Sequence, residues 1–339
     1  MSPPLLLVLD GNSLLHRAYH AGAGDGWLDQ AGRPIWALRG LVGFIARAAA
    51  HLRPQALVVG FDCPDDSMRK KDFPGYKAHR PEKPADLAEQ IAGAPQLLRD
   101  AGFCTVVPPA YEADDVLASS AALARRHGWR SVLMTSDRDA FALIDKTTSV
   151  LRVRNGGFEE AVLVDTEGLP AICGVYPWQY RDFAALRGDP SDNLPGVRRF
   201  GAATAARLLT AFGTVDAAWA AIDEGGVQAV RTVVGEQAAE GLADPAMRDV
   251  VDRNRRLMRM RSDLPMPAID AARLPLSLAV VKRVLSGRGI NFGPSLWALT
   301  GGEPPAGPPE EPMPDLRPWV FRKGLTTPRD PIPGQLSLF

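Results

Sequence analysis

Cysteine is scarce in this chain of 339 residues: there are three, Cys63, Cys104 and Cys173. They are odd in number, widely spaced and without CxxC pairing. That argues against a disulfide framework or a zinc cluster and fits a reducing cytosol. Net charge is absent too, since 39 Lys and Arg balance 39 Asp and Glu. A bulk polycation is therefore excluded, but nucleic-acid binding is not, because local patches matter more than the sum. No stretch reaches the ~18 apolar residues of a membrane span. Residues 5–9 are apolar, but Asp10 ends the run and no basic region precedes it, so no signal peptide is expected. Hydrophobic residues make up 46% of the chain. That is enough to bury a core, and the length suits one large or two small domains.

The first half alternates between short apolar runs and helical spacing. Strands are expected over 5–10, 56–61, 104–107 and 131–136, with helices over 36–52, 87–101, 112–127 and 139–144 between or after them. Residues 149–154 and 158–162 flank Asn155-Gly156-Gly157 and read as a hairpin. This pattern predicts an α/β fold with a mostly parallel central sheet flanked by helices, whose ligands sit at the carboxyl ends of the strands. From about Asp165 the strands stop and Ala-rich helical segments run to about Trp297. The expected domains are an α/β core over 1–164, a helical domain over 165–300 and a tail over 301–339. Ten of the 30 prolines fall in that tail, which reads as disordered.

Acidic residues gather where those strands end. Asp10 and Asp62 close the first two strands, Glu112, Asp114 and Asp115 open a helix, and Asp137 and Asp139 follow the fourth strand. Asp189 and Asp192 lie farther on, in Arg187-Gly-Asp-Pro-Ser-Asp-Asn193. Each alone reads as a helix cap or turn residue. As a group on one rim they repel one another unless cations screen them. Hard divalent cations take oxygen ligands, and a surplus of acids around two ions suits phosphodiester hydrolysis.

These residues carry a resemblance. Val8-Leu-Asp10-Gly-Asn-Ser13 with Arg17, Phe61-Asp62, Tyr111-Glu-Ala-Asp-Asp-Val-Leu-Ala118, Thr135-Ser-Asp-Arg-Asp139 and Gly188-Asp-Pro-Ser-Asp-Asn-Leu-Pro-Gly-Val197 stand in the order found in the 5′ nuclease, or flap endonuclease, family. The chain is similar to the 5′→3′ exonuclease domain of bacterial DNA polymerase I, and is expected to be a stand-alone form of it. The resemblance implies a PIN-like nuclease fold with a helical helix–three-turn–helix domain. It assigns Asp10, Asp62, Glu112, Asp114 and Asp115 to one metal cluster and Asp137, Asp139, Asp189 and Asp192 to another. The implied cofactors are two Mg²⁺ ions, with Mn²⁺ as a substitute, and K⁺ at the helix–three-turn–helix.

Arg69 to Lys83 places six cations against two acids, with Phe73 and Tyr76 among them. Alone this reads either as a solvated loop or as a basic arm whose cations meet phosphates and whose aromatics stack on bases. The resemblance makes it the family's arch, at about 65–95. Lys77 and Arg80 then hold the scissile phosphate, Tyr76 stacks near it, Arg17 takes another phosphate-facing position, and Arg69 binds DNA. Farther on, Gly196, Val197, Arg198, Arg199 and Gly201 read as a tight turn opening a helix, where backbone N–H groups approach a phosphate because the glycines leave room. The family uses this element on the duplex. Arg199 stands where the family prefers Gly, Phe200 where it prefers Ile, and Ala203 where Lys is common. The arginines over 252–261 are a secondary candidate for duplex contact. At the end of the chain, Gln335, Leu336, Ser337, Leu338 and Phe339 resemble the bacterial sliding-clamp-binding motif.

The expected protein is a monomeric, cytoplasmic, metal-dependent 5′→3′ exonuclease or flap endonuclease. Its partners are DNA with a 5′ end or flap and the sliding clamp, with no membrane. Two alternatives are a DNA-binding scaffold on the clamp that has lost catalysis and a small-molecule phosphatase using Asp10 as nucleophile.

Overall fold

The computed structural model describes residues 3–22, 26–154 and 157–304. Six strands form the main sheet: β1 (Leu5–Asp10), β2 (Ala56–Gly60), β3 (Cys104–Val106), β4 (Arg130–Thr135), β5 (Thr148–Arg154) and β6 (Gly157–Val164). Their order is β3-β2-β1-β4-β5-β6, parallel except for the antiparallel β5–β6 pair. Every residue of β1 is buried, because β1 is central and helices cover both faces; hence its unbroken apolar run. The connection reverses direction on either side of β1, so a crevice opens at the carboxyl ends of β1, β2 and β4. The acidic residues cluster at that edge.

The helix Trp36–Leu52 packs one face of the sheet and Ala113–Arg126 the other. The helix Gly11–Gly22 was not anticipated. It begins directly after β1, where Gly11-Asn12-Ser13 reads as a loop; the Ser13 N–H donates to Asp10 Oδ1 at 2.9 Å, and Leu14, Leu15 and Ala18 are buried. Beyond 165 the chain is mostly helical, but not wholly strand-free. Gly188–Asp189 pairs antiparallel with Leu194–Pro195. A Cβ at Gly196 would meet the Arg187 carbonyl carbon at 2.3 Å, so this close approach requires glycine.

The last described residues return to the α/β half. The Leu274 N–H donates to the Gln55 carbonyl, and Val281, Leu285, Ile290 and Leu299 join the core beneath β1 residues Leu7 and Leu9. Among the described residues, no helix is long and apolar enough to cross a membrane. The hairpin tip Asn155-Gly156 and the residues from 305 onward, including Gln335–Phe339, lie outside the described residues.

Candidate metal centre and nucleic-acid interface

The carboxyl edge of the sheet brings together acids from five segments. Asp10, at the end of β1, is 5% exposed and accepts from the Thr135 hydroxyl at 2.8 Å. Asp62 accepts from the Ala113 N–H at 2.9 Å, so it serves the first turn of the helix Ala113–Arg126. Asp137 and Asp139 follow β4; the Asp139 N–H donates to Asp137 Oδ1 at 2.9 Å. Asp114, Asp137, Asp139 and Asp192 line a cavity of about 10 Å³ with Arg69 and Tyr76. That is room for roughly one water-sized sphere. Asp189 accepts from the Ser191 N–H and hydroxyl at 2.8 and 2.7 Å, which fixes the turn that carries Asp192.

Burial and mutual repulsion govern the charge of this cluster. Burial, with Asp62 beside it, raises Asp10 from its usual 3.8 to about 7. Burial and Asp137 push Asp114 well above the ordinary carboxylate range, and Asp139 likewise. Burial also raises Asp62 and Asp192. Glu112 goes the other way: burial disfavours its charge, but Lys77 and Arg69 outweigh burial and hold it below its usual value.

The acids have no matching cations beside them in sequence, but the fold supplies some. Lys77 Nζ donates to Glu112 Oε2 at 3.0 Å, and the Ser67 hydroxyl donates to Glu112 Oε1 at 2.8 Å. Arg80 pairs with Asp192, and its Nε donates to the Ser191 carbonyl at 3.0 Å. The Lys77 N–H donates to the Asp192 carbonyl, and Asn193 Nδ2 donates to the Gly75 carbonyl at 2.7 Å. The basic segment is thus tied down along the turn 189–193 rather than standing free.

Three of the expected site residues are engaged inside the protein in this conformation. Asp115 is 1% exposed and forms a bidentate pair with Arg69, at 2.7 and 2.8 Å. It also accepts from the N–H groups of Glu112 and Arg261. All of its oxygen capacity serves the protein, so it is a structural counter-ion rather than an ion ligand in this arrangement. Arg69, with a side chain 12% exposed, is correspondingly a buried partner and not a surface contact for DNA. Tyr76 is 5% exposed and its hydroxyl donates to Glu112 Oε2 at 3.2 Å, so it offers no open face for a base.

At the turn before the helix Ala202–Phe212, the two glycines differ. Gly196 packs on the Arg187 backbone, whereas a Cβ on Gly201 would meet nothing within 4 Å. Only Gly201 leaves open space for a ligand. Val197 is buried; Arg198 and Arg199 are exposed. Arg199 has a φ of 69°, the left-handed region that explains why glycine suits this position. Arg17 lies half-buried on the helix Gly11–Gly22.

The arginines over 252–261 chiefly bind the protein itself. Arg255 pairs with Asp182 and Asp216, and Arg256 pairs with Asp72 at 2.8 Å. Arg253 stacks over Phe73 at 4.7 Å, so this helix braces the basic segment. Sequence reading missed this brace because its partners are about 180 residues apart.

Do these residues fit hard divalent ions? Among the described residues, no three His, Cys, Asp or Glu side chains are gathered closely enough to hold one in this conformation. The donor chemistry nevertheless fits. The set is all oxygen, and Asp114 Oδ1 is buried with no hydrogen-bond partner. One consequence is measurable. A folded-state value above the unfolded one means that metal-free stability falls as pH rises from about 4 to 7. Mg²⁺ should therefore raise the melting temperature clearly at about pH 8 and little at about pH 5, as read by scanning fluorimetry. Equal shifts at both values would contradict the clustered acids as the binding groups.

Comparison with known proteins agrees with this arrangement. Residues 5–169 match the model of the 5′-3′ exonuclease N-terminal resolvase-like domain, and 175–277 match that of the 5′-3′ exonuclease C-terminal SAM fold. DNA polymerase I of Mycobacterium bovis is 35% identical over 263 residues, which are 78% of this chain and 28% of that protein. The thermostable DNA polymerase I of Thermus thermophilus is 33% identical over 261 residues, 77% of this chain and 29% of that one. The chain thus spans under a third of the length of these relatives. In fold it is similar to the T5 D15 protein co-crystallised with metal ions, with a TM-score of 0.60 at 20% identity, covering 83% of this chain and 97% of that one. It is also similar to the catalytic core of Rad2 in complex with DNA substrate, with a TM-score of 0.55 at 14% identity, covering 84% and 88%. With both family domains matched in order along most of its length, and with the expected acids on one sheet edge, the chain belongs to the 5′-3′ exonuclease family.

Proposed function

We propose that this protein hydrolyses phosphodiester bonds near DNA 5′ ends, as a 5′→3′ exonuclease and flap endonuclease, in RNA primer removal and DNA repair. One observation carries the reading: buried carboxyl groups crowd a sheet edge beside long-chain cations, and the Asp114 Oδ1 atom has no protein partner. Asp10, Asp62, Glu112, Asp114, Asp137, Asp139, Asp189 and Asp192 would hold two divalent ions, Mg²⁺ or in its place Mn²⁺. When bound, such ions lower the pKa of water and neutralise charge on the scissile phosphate. Glu112 and Asp192 are the acids that Lys77 and Arg80 neutralise in this conformation. Lys77 and Arg80, now held by Glu112 and Asp192, are the side chains that would hold the reacting phosphate. Arg198, Arg199 and the open Gly201 turn would grip the duplex backbone without reading sequence, with K⁺ at the same turn.

The residues divide, on this reading, into the nuclease core over 1–164, the DNA-binding region over 165–300, whose last stretch from 274 packs back on the core, and a tail over 301–339. The protein would act as a monomer in the cytoplasm, tethered to the bacterial sliding clamp by Gln335–Phe339. A short peptide ordered on binding gives modest affinity, which a linker converts to a high local concentration. Deleting 335–339 should remove clamp binding in calorimetry and leave cleavage of short oligonucleotides intact. Full clamp affinity in the truncated protein would sink that part.

The main test is incubation with end-labelled flap, nicked and single-stranded DNA, with and without Mg²⁺. Cleavage near the 5′ end only with the metal is expected; none on any substrate would refute the reading. Lys77→Ala and Arg80→Ala should each slow turnover by about 10²-fold, as for loss of one preorganised donor, while weakening duplex binding less. Equal losses in both would mark them as generic phosphate contacts.

A further inference from the structure

The carboxylate cluster has a cationic neighbour on the side away from the basic segment. Thr135, which donates to Asp10, is the register partner of Arg152 on β5, and the two side chains share one face of the sheet. Arg152 Nε is buried and has no hydrogen-bond partner. Its charged neighbours are Arg138, Arg154 and Arg17, and burial together with these arginines lowers it from 12.5 to about 10. Against the same group stands Tyr180, 1% exposed, whose hydroxyl is also buried without a partner. Rings hold that phenol in place: Phe141 packs edge-on at 5.5 Å and Phe183 lies at 5.6 Å. Arg187 stacks beside Phe183 and uses Nε on the Gly188 carbonyl at 3.2 Å.

This grouping is costly unless something answers it. Like charges and unfilled buried donors both oppose folding. Neutralisation of the metal-site acids answers it only in part, through Arg187 near Asp139. Asp137 and Asp139 are near, yet among the described residues none of Arg138, Arg152 and Arg187 forms an ion pair. What converges here is a set of donors: guanidinium forks and a phenol O–H. Such a set matches the oxygens of a phosphate group, for which arginine is the best-suited side chain.

We propose that Arg138, Arg152 and Arg187, with the Tyr180 hydroxyl at the floor, form a second phosphate site that takes the terminal 5′-phosphate of a nicked strand. The proposal rests on the nuclease reading. A terminal phosphate carries close to two negative charges, about twice that of an internal diester, so a site with several cations and no paired acid favours the chain end. The site lies beyond β4, near Asp137 and Asp139, while Lys77 and Arg80 are engaged by Glu112 and Asp192. A strand end held there would set how far the first cleavable bond sits from the 5′ terminus.

The test is equilibrium binding by fluorescence anisotropy in EDTA, so that no cleavage occurs. The probes are a nicked duplex with a 5′-phosphate, the same duplex with a 5′-hydroxyl, and a 5′-flapped duplex. The full-length protein should bind the 5′-phosphate nick about tenfold more tightly than the 5′-hydroxyl nick, the size of one charge-assisted contact. Arg152→Gln should bring that ratio close to one, and Tyr180→Phe, which keeps the ring, should reduce it. The Tyr180→Phe ratio stands as the test if Arg152→Gln does not fold, as judged by its melting curve. Equal binding of the two nicks by the unaltered protein would overturn the proposal while leaving the nuclease reading standing. So would an Arg152→Gln loss that is the same on all three probes, which marks a contact with internal phosphates. Failure to bind any duplex would sink the nuclease reading together with the proposal.

Discussion

Replacing Asp114 by Asn is expected to reduce cleavage by at least about 10³-fold, the upper end of what losing one preorganised electrostatic group costs. The same change should raise the melting temperature of the metal-free protein. Both effects have one cause. Asp114 is buried among Asp137 and Asp10, its charge is strongly disfavoured, and one of its oxygens has no partner. An amide removes the repulsion and with it the oxygen charge that a divalent ion needs. Asp137→Ala should act in the same direction on cleavage and spare or strengthen DNA binding, since it removes negative charge near the phosphate. Near wild-type cleavage by either variant at saturating Mg²⁺ would show that the site is misplaced. A lowered melting temperature in EDTA for Asp114→Asn would show that the acid is a structural member instead.

The opposite pattern is expected at Arg69. Arg69→Ala should destabilise the protein by about 3–5 kcal/mol, because it leaves a buried charge unpaired. Asp115 is 1% exposed and gives both oxygens to this guanidinium, and Arg69 also reaches Glu112 at 3.2 Å and the Leu257 carbonyl at 2.8 Å. The residue joins the basic segment, the helix Ala113–Arg126 and the end of the helix Pro245–Leu257. Arg69→Lys should recover only part of the loss, since an ammonium cannot span two carboxylate oxygens and a carbonyl together. Chemical denaturation reads the stability, and salt-dependent DNA binding reads the alternative. Unchanged stability with weakened DNA binding would restore Arg69 to the surface role that its motif suggests.

Much of the α/β half was legible because its local signals agree. The helices Trp36–Leu52 and Ala113–Arg126 and the strands β1, β2 and β4 appear within about a residue or two of their expected limits, the ordinary spread at element ends. The apolar run Leu5–Leu9 of β1 suits a strand covered on both faces, and Gly128 follows shortly after the end of the helix Ala113–Arg126. The helix Gly11–Gly22 was not legible because its opening residues favour turns; Asp10 and the packing of Leu14, Leu15 and Ala18 support it. The identity of the acids was equally legible, since most of them end a strand or open a helix.

The sequence by itself determined the chemical character of this protein. It set the alternation that makes a parallel sheet, the acids at strand ends and the basic segment between the second and third strands. Periodicity and capping act over a few residues, so a linear reading reaches them. Only the tertiary structure decided which charges answer which. It buried Arg69 against Asp115, turned Tyr76 inward onto Glu112, and bound Lys77 and Arg80 to acids 35 and 112 positions away. It also left Arg152 Nε and the Tyr180 hydroxyl buried without hydrogen-bond partners. Such pairings follow from burial and distance between remote segments, and the energy of a charge depends on those two quantities, which no local pattern records.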